Sequence, residues 1–218
     1  MTVAVITGAN RGIGLEFARQ LNKLGYTVYG TARDTSKAEE LRKVASVISL
    51  DVADEDSIKQ LAKQINQPID LLINNSGLLC KDNLPEISQK SLVEQFKVNS
   101  CGPILVSQAL LPLLESGESK IVNITSRMGS IEDNTSGGRY GYRASKTALN
   151  MMTKSFAIDK PNITTFMMHP GFIKTEMTGG NGDMGPEEAV EKMIKVIMTS
   201  TKESAGKFFH RDGQELPW

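Results

Sequence analysis

The sequence predicts a doubly wound α/β domain, with one parallel sheet of about seven strands and helices on both faces. Three observations carry that expectation. Short β-branched runs alternate with segments of helical period along the whole chain. Several of those runs are nearly continuous in apolar character, as parallel strands covered on both faces must be. No linker, repeat or low-complexity tract breaks the alternation, so residues 1–218 read as a single domain.

The elements follow in order. Val3–Thr7 is the first strand and leads through a glycine-rich turn to a helix at Ile13–Leu24. Thr27–Thr31 is followed by a helix at Ala38–Val44, and Val47–Leu50 by one at Ile58–Ile65. Leu71–Asn74 precedes the longest helical stretch, Leu92–Leu111. Ile121–Thr125 leads, after a polar interval, to Tyr142–Ala157, and Thr164–Met168 leads to Pro186–Met198. Lys207–His210 is the seventh strand. Pro186 needs no N–H partner at a first turn, and Glu187 and Glu188 meet the positive end of the helix dipole there. Right-handed crossovers place every strand C-terminus on one edge, where such sheets bind ligands.

Composition narrows the partners. Lys plus Arg and Asp plus Glu each number 25, for a net charge of zero, and no basic stripe offers itself to nucleic acid. Met1–Thr7 runs directly into a strand, without a basic leader or a membrane-length apolar run, so a cytoplasmic chain with no membrane partner is expected. Cys80 and Cys101 form no CxxC pair and have no nearby histidine cluster, which points to reduced thiols and no metal site.

Thr7-Gly8-Ala9-Asn10-Arg11-Gly12-Ile13-Gly14 stands at the first strand-to-helix junction. Glycines at Gly8, Gly12 and Gly14 let backbone N–H groups approach a pyrophosphate, whose charge the helix N-terminus favours. The spacing is TGxxxGxG rather than GxGxxG, so the general dinucleotide fingerprint is only partly met. An NAD site wants an acid at the end of the second strand, but Ala32 and Arg33 stand there, with Asp34 one residue further. Arg33 and Arg11 together favour a 2′-phosphate and hence NADP(H), while Asp34 keeps NAD open. Further along, Tyr142 and Lys146 are four residues apart in a helical segment, so both emerge on one face. A free phenol titrates near ~10, and an adjacent ammonium makes it a usable acid or base near neutrality. Tyr140 has Ala144 at the same offset and lacks that partner.

These residues resemble the short-chain dehydrogenase/reductase family from Thr7 onward. The landmarks fall in order: Thr7–Gly14, Asp51-Val52, Asn74-Asn75-Ser76-Gly77, Asn99, Ser126, Tyr142 with Lys146, and Pro170-Gly171 with Thr175. Ser76 replaces the family's usual alanine. Arg11-Gly12-Ile13-Gly14, Thr31-Ala32-Arg33-Asp34 and the stretch Asp212–Trp218 look most like the sniffer and C-factor carbonyl reductases within it. The resemblance implies a Rossmann-type fold and a set of roles. Gly8, Asn10, Arg11, Gly12, Ile13 and Gly14 would cradle the cofactor, with Arg33 at its 2′-phosphate. Asp51 and Val52 would meet the adenine, and Asn74, Ser76 and Gly77 the adenosine ribose. Pro170, Gly171, Ile173 and Thr175 would border the nicotinamide. Lys146 would also grip the nicotinamide ribose, Ser126 would hold the substrate carbonyl, and Asn99 would connect Lys146 to water through a kinked helix. Hydride would pass to a carbonyl carbon while Tyr142 protonates the oxygen. The interval from Ser126 to Tyr142 exceeds the family's usual length, and the polar stretch Asp133–Gly138 is expected to loop out.

Rival readings are an NADP(H)-binding regulatory or signalling protein without turnover, and epimerase or dehydratase chemistry on nucleotide sugars. The first has no need of a proton donor, and the second needs a larger substrate domain than this chain holds. His169, Met151-Met152, Met167-Met168 and Cys101 are expected to be structural or core residues. Val106, Leu110 and Leu114 beside Met151, Met152 and Phe156 offer more apolar surface than one sheet face covers, so a homodimer or homotetramer is expected. The glycine-rich segment Glu176–Gly185 is expected to be a mobile flap over an open substrate pocket, with Phe172, Met177 and Met184 supplying apolar contacts.

Overall fold

Strands and helices alternate as the apolar pattern requires. In the computed structural model, which describes residues 2–115 and 118–218, the strands are β1 (Val3–Ile6), β2 (Thr27–Ala32), β3 (Ser46–Ser49), β4 (Leu71–Asn74), β5 (Lys120–Ile124), β6 (Thr164–His169) and β7 (Phe208–His210). The helices are α1 (Gly12–Lys23), α2 (Glu39–Arg42), α3 (Glu55–Gln64), α4 (Gln89–Phe96), α5 (Gly102–Ala109), α6 (Leu111–Leu114), α7 (Tyr140–Asp159) and α8 (Pro186–Thr199). The sheet order is β3-β2-β1-β4-β5-β6-β7, parallel at every junction. The expected doubly wound sheet is therefore found, and its strand order reverses between β1 and β4, where such sheets open a ligand crevice.

A two-residue period divides the core. Ala4 and Ile6 of β1 join one buried apolar cluster, and Val3 and Val5 join another. Leu71 and Ile73 are likewise opposed to Leu72, and Val122 and Ile124 to Ile121. The first cluster is covered by Phe17 and Leu21 of α1, Leu41 of α2, and Met193 and Ile197 of α8. The second is covered by Ile58 and Leu61 of α3, Val106 of α5 and Leu114 of α6. Both faces of each central strand are buried, which is why these runs read as continuously apolar.

The long helix expected at Leu92–Leu111 is divided. Between α4 and α5 lies a π turn, Lys97–Cys101, in which the Gly102 N–H closes on the Lys97 carbonyl, five residues back. Pro103 has no N–H for the Asn99 carbonyl, and Gly102 has Val52 against it, a Cβ there standing 2.7 Å from the Val52 carbonyl oxygen. A shift of helical register at this point satisfies both. α3 begins earlier than expected because Asp54 caps it, accepting from the N–H groups of Asp56 and Ser57.

Part of the apolar surface argued for self-association is consumed within the chain. Val106, Leu110 and Leu114 are fully buried in the chain's own core, with Phe156 packed against the same cluster. Met167 and Met168 are core residues as expected, whereas Met151 is 68% exposed and fills no core. The segment expected as a flap is laced to itself. Asp183 N donates to Phe172 O, Lys174 N to Met184 O, and Thr175 and Thr178 close a capping box around the short 3-10 turn Glu176–Thr178. Among the described residues no helix is long and apolar enough to cross a membrane.

Candidate active site

The turn after β1 is built for close approach. Gly8 and Gly12 take φ of 64° and 56°, conformations that side chains disfavour. A Cβ on Gly14 would stand 2.3 Å from the Gly8 carbonyl oxygen, so the turn closes tightly only with glycine there. α1 starts at Gly12, and its N-cap, Arg11, makes no side-chain cap, which leaves the first-turn N–H groups facing the crevice. Asn75 fastens this turn to the segment after β4. Its Nδ2 donates to the carbonyls of Thr7 and Gly8, both at 3.0 Å, while Thr7 Oγ1 accepts from the N–H groups of Asn75 and Ser76.

The crevice brings most of the expected cofactor residues together. Gly8, Asn10, Arg11, Gly12, Ile13, Arg33, Asp51, Val52, Ser76, Gly77, Tyr142, Lys146, Pro170 and Thr175 line it. Glu94 and Val98, which the sequence did not single out, line it as well, as do Glu176 and Met177 of the segment expected to form the flap. Asn74 does not. Its Nδ2 donates to Asn123 Oδ1 at 2.8 Å, Ser107 Oγ at 3.0 Å and the Pro103 carbonyl at 3.2 Å, so it ties β4 to α5 and β5. The ribose role expected of Asn74 is corrected accordingly, and Asn75 is the asparagine on the crevice. Strand alternation was the signal: Asn74 shares a face with Leu72, which packs on the α5 side. Gly14, Gly171 and Ile173 also lie off the lining. Gly171 has φ 88° and backs on the Arg211 guanidinium, and Ile173 is 2% exposed.

The charged groups at the cofactor's expected 2′ end are unequal. Arg33 is exposed and has no ion pair among the described residues. Arg11 is paired with Glu176 across the crevice mouth. Asp34 is turned into its own loop, where it accepts from the Ser36 N–H and hydroxyl and pairs with Lys37. Those hydrogen bonds hold its carboxyl below the ordinary range.

At the floor, α7 presents Tyr142 in its first turn and Lys146 one turn on, both buried. Lys146 Nζ donates to the Ile124 carbonyl at 2.9 Å and lies 5.8 Å from the Tyr142 ring centre. Ser126, two residues past β5, caps the 3-10 turn Arg127–Gly129, and it acts on the Tyr142 phenol to lower its pKa. Asn99 is fully buried in the π turn. Its Oδ1 accepts from Leu78 N at 2.7 Å, and its Nδ2 donates to Leu78 O and to Ser145 Oγ. Asn99 and Ser126 thus stand behind the crevice surface, each touching the α7 helix or its tyrosine.

Electrostatics depart from the simple expectation that Lys146 lowers the phenol. Burial pushes Tyr142 up to about 12, with the Ser126 hydrogen bond offsetting part of the rise. Burial also brings Lys146 down to about 8. Desolvation dominates both groups, so the resting site holds a neutral phenol beside an ammonium near neutrality. The longer Ser126–Tyr142 interval loops outward and is tied back by Arg143, whose Nε donates to the Gly137 and Gly138 carbonyls. His169 is structural, lowered to about 3 by burial and by neighbouring positive groups.

Comparison with known proteins agrees with this geometry. The family model described as short chain dehydrogenase matches residues 2–201. A 1-hydroxy-2-glutathionyl-2-methyl-3-butene dehydrogenase from Rhodococcus sp. is 31% identical, covering 100% of both chains. The C-signal protein of Myxococcus xanthus is 40% identical over 69% of this chain and 93% of its own. An NADPH-bound carbonyl reductase from chicken fatty liver superimposes with a TM-score of 0.94 at 32% identity, covering 100% of both chains. The carbonyl reductase Sniffer of D. melanogaster gives 0.93 at 29% identity, over 100% of this chain and 99% of that one.

Proposed function

We propose that this chain, which belongs to the short chain dehydrogenase family, is an NADPH-dependent carbonyl reductase acting on ketones, aldehydes or quinones. The observation that carries the reading is the buried group of Tyr142, Lys146 and Ser126 at the floor of a crevice that the glycine turn opens. The crevice fits NADPH on its own features: a first helical turn with no side-chain cap, an Arg33 with no ion pair among the described residues, and an acid, Asp34, engaged elsewhere. The NADPH-bound state of the chicken relative supports the same cofactor. When bound, NADPH supplies the hydride.

The chain's own residues then manage the oxygen. Ser126 donates a hydrogen bond to the substrate carbonyl, stabilising the negative charge that develops there. Tyr142, neutral because burial holds its phenol near about 12, donates its proton to that oxygen. Lys146 provides the adjacent positive charge that steadies the phenolate left behind. The π turn holds Asn99 and Ser100 against Ser145 on α7, which keeps both reacting side chains in register. Exposed Leu84, Ile131, Phe172 and Met177 stand on the loops that follow β4, β5 and β6, and an apolar carbonyl compound suits them.

Titration of NADPH and NADH, followed by a panel of ketones, aldehydes and quinones, tests the reading. NADPH is expected to bind more tightly, and Arg33→Asp to weaken it by roughly tenfold or more while narrowing the gap to NADH. Equal affinity of the unmutated chain for both cofactors would defeat the Arg33 argument. Tight NADPH binding with no turnover on any carbonyl would favour a regulatory protein instead.

A further inference from the structure

Three consecutive N–H groups open α7, those of Arg139, Tyr140 and Gly141, and a helix supplies no acceptors for its own first turn. A distant segment meets all three. Arg139 N donates to Asn83 Oδ1 at 2.8 Å, Tyr140 N to the Asp82 carbonyl at 3.2 Å, and Gly141 N to Asp82 Oδ2 at 2.6 Å. Arg139, the local N-cap, sits at φ 52° and offers no side-chain cap. Asp82 is 1% exposed, and its Oδ2 also accepts from Gln95 Nε2 at 3.0 Å. Gln95, fully buried, is fixed in turn by accepting from Cys80 N. Gly141 is the residue this packing demands, since a Cβ there would stand 2.4 Å from both Asp82 Oδ2 and Gln95 Nε2. Tyr142 comes next in the chain.

We propose that Asp82, locked by Gln95 against Gly141, is a positioning residue that aims the Tyr142 phenol at the reacting oxygen. The proposal rests on Tyr142 being the proton donor. A buried carboxylate is costly, and Asp82 Oδ1 has no hydrogen-bond partner among the described residues. The positive end of a 20-residue helix compensates the carboxylate and draws it into short contact with the turn that carries Tyr142. Proton transfer tolerates little misplacement, so rigidity in this turn acts on rate.

Steady-state kinetics with NADPH and a reducible carbonyl, run beside NADPH titrations, tests this. Asp82→Ala is expected to lower kcat by about 10–100-fold, with KM and the NADPH Kd within about twofold of wild type, because the helix is present but loosely aimed. Asp82→Asn is expected to stay within about threefold, since its amide oxygen accepts from both donors. Tyr142→Phe, assayed in parallel, separates the two ideas. If Tyr142→Phe keeps full turnover, the proton-donor reading fails. If Tyr142→Phe is inactive while Asp82→Ala keeps its full kcat, the positioning proposal is overturned. It is equally overturned if Asp82→Asn is as slow as Asp82→Ala, or if NADPH affinity falls in step with kcat. Should Asp82→Ala not fold, Gln95→Ala removes only the lock. An unchanged kcat there overturns the proposal, and a loss of about 3–10-fold at constant NADPH affinity supports it.

Discussion

Tyr142 and Lys146 meet opposite consequences of one burial. The phenol rises to about 12 and the ammonium falls to about 8, so as pH increases the ammonium is the first to lose its proton. The charge on Lys146 is fully present well below 8 and disappears as pH passes through it, while Tyr142 still holds its proton. Reductive kcat/KM is therefore expected to be level below pH about 8 and to decline above it. A profile that stays flat to pH ~10, near the ordinary lysine value, would show that Lys146 is not shifted by its burial. At this scale the pairing of a phenol with a lysine four residues on was legible, because helical spacing alone puts them on one face. Asn74 was misjudged because the resemblance outweighed strand alternation. The raised phenol was not legible either, since desolvation depends on what three distant elements bury. Asp82 and Gln95 gave no signal, because nothing local marks a cap, or the residue that braces it, when Asp82 and Gly141 stand 59 positions apart.

Lys120 shows how an element is finished from outside itself. It is the first residue of β5, and its Nζ donates to the carbonyls of Ile197 at 2.7 Å, Ser200 at 2.8 Å and Met198 at 3.4 Å, closing the C-terminus of α8. Burial depresses its pKa, yet three carbonyls hold it in place. Lys120→Met leaves those carbonyls short of a donor and is expected to cost about 1–3 kcal/mol, lowering Tm by roughly 2–12 °C. NADPH affinity should not change, because this contact lies at the strand end opposite the crevice. A melting curve matching wild type would mean that water serves these carbonyls equally well. The strands and most helices were legible from apolar period, with ends displaced by a residue or a few where caps decide. The division of α4 from α5 was not, because a π turn leaves the apolar period nearly intact. Gly102-Pro103 was its one visible trace.

For the whole molecule, the parallel sheet places the glycine turn, the Asn75 loop, Ser126 and the Pro170 segment along one edge, and α7 lies across them. That convergence is a property of topology, which is why a few spaced motifs sufficed to anticipate it. Self-association is a proposal that rests on exposed side chains, with Met151 kept from the sequence expectation and the buried Val106, Leu110 and Leu114 dropped. Val93 and Phe96 of α4, with Met151 and Ile158 of α7, remain exposed. Sedimentation at micromolar concentration is expected to show a dimer or tetramer that Met151→Glu shifts toward monomer, and an unmutated chain that sediments only as monomer would end the idea. Delivery of the proton by Tyr142 in carbonyl reduction is tested by single-turnover oxidation of prebound NADPH on mixing with a carbonyl substrate. Tyr142→Phe is expected still to bind NADPH and to consume it about 10²–10⁴-fold more slowly. Consumption at the wild-type rate would contradict it.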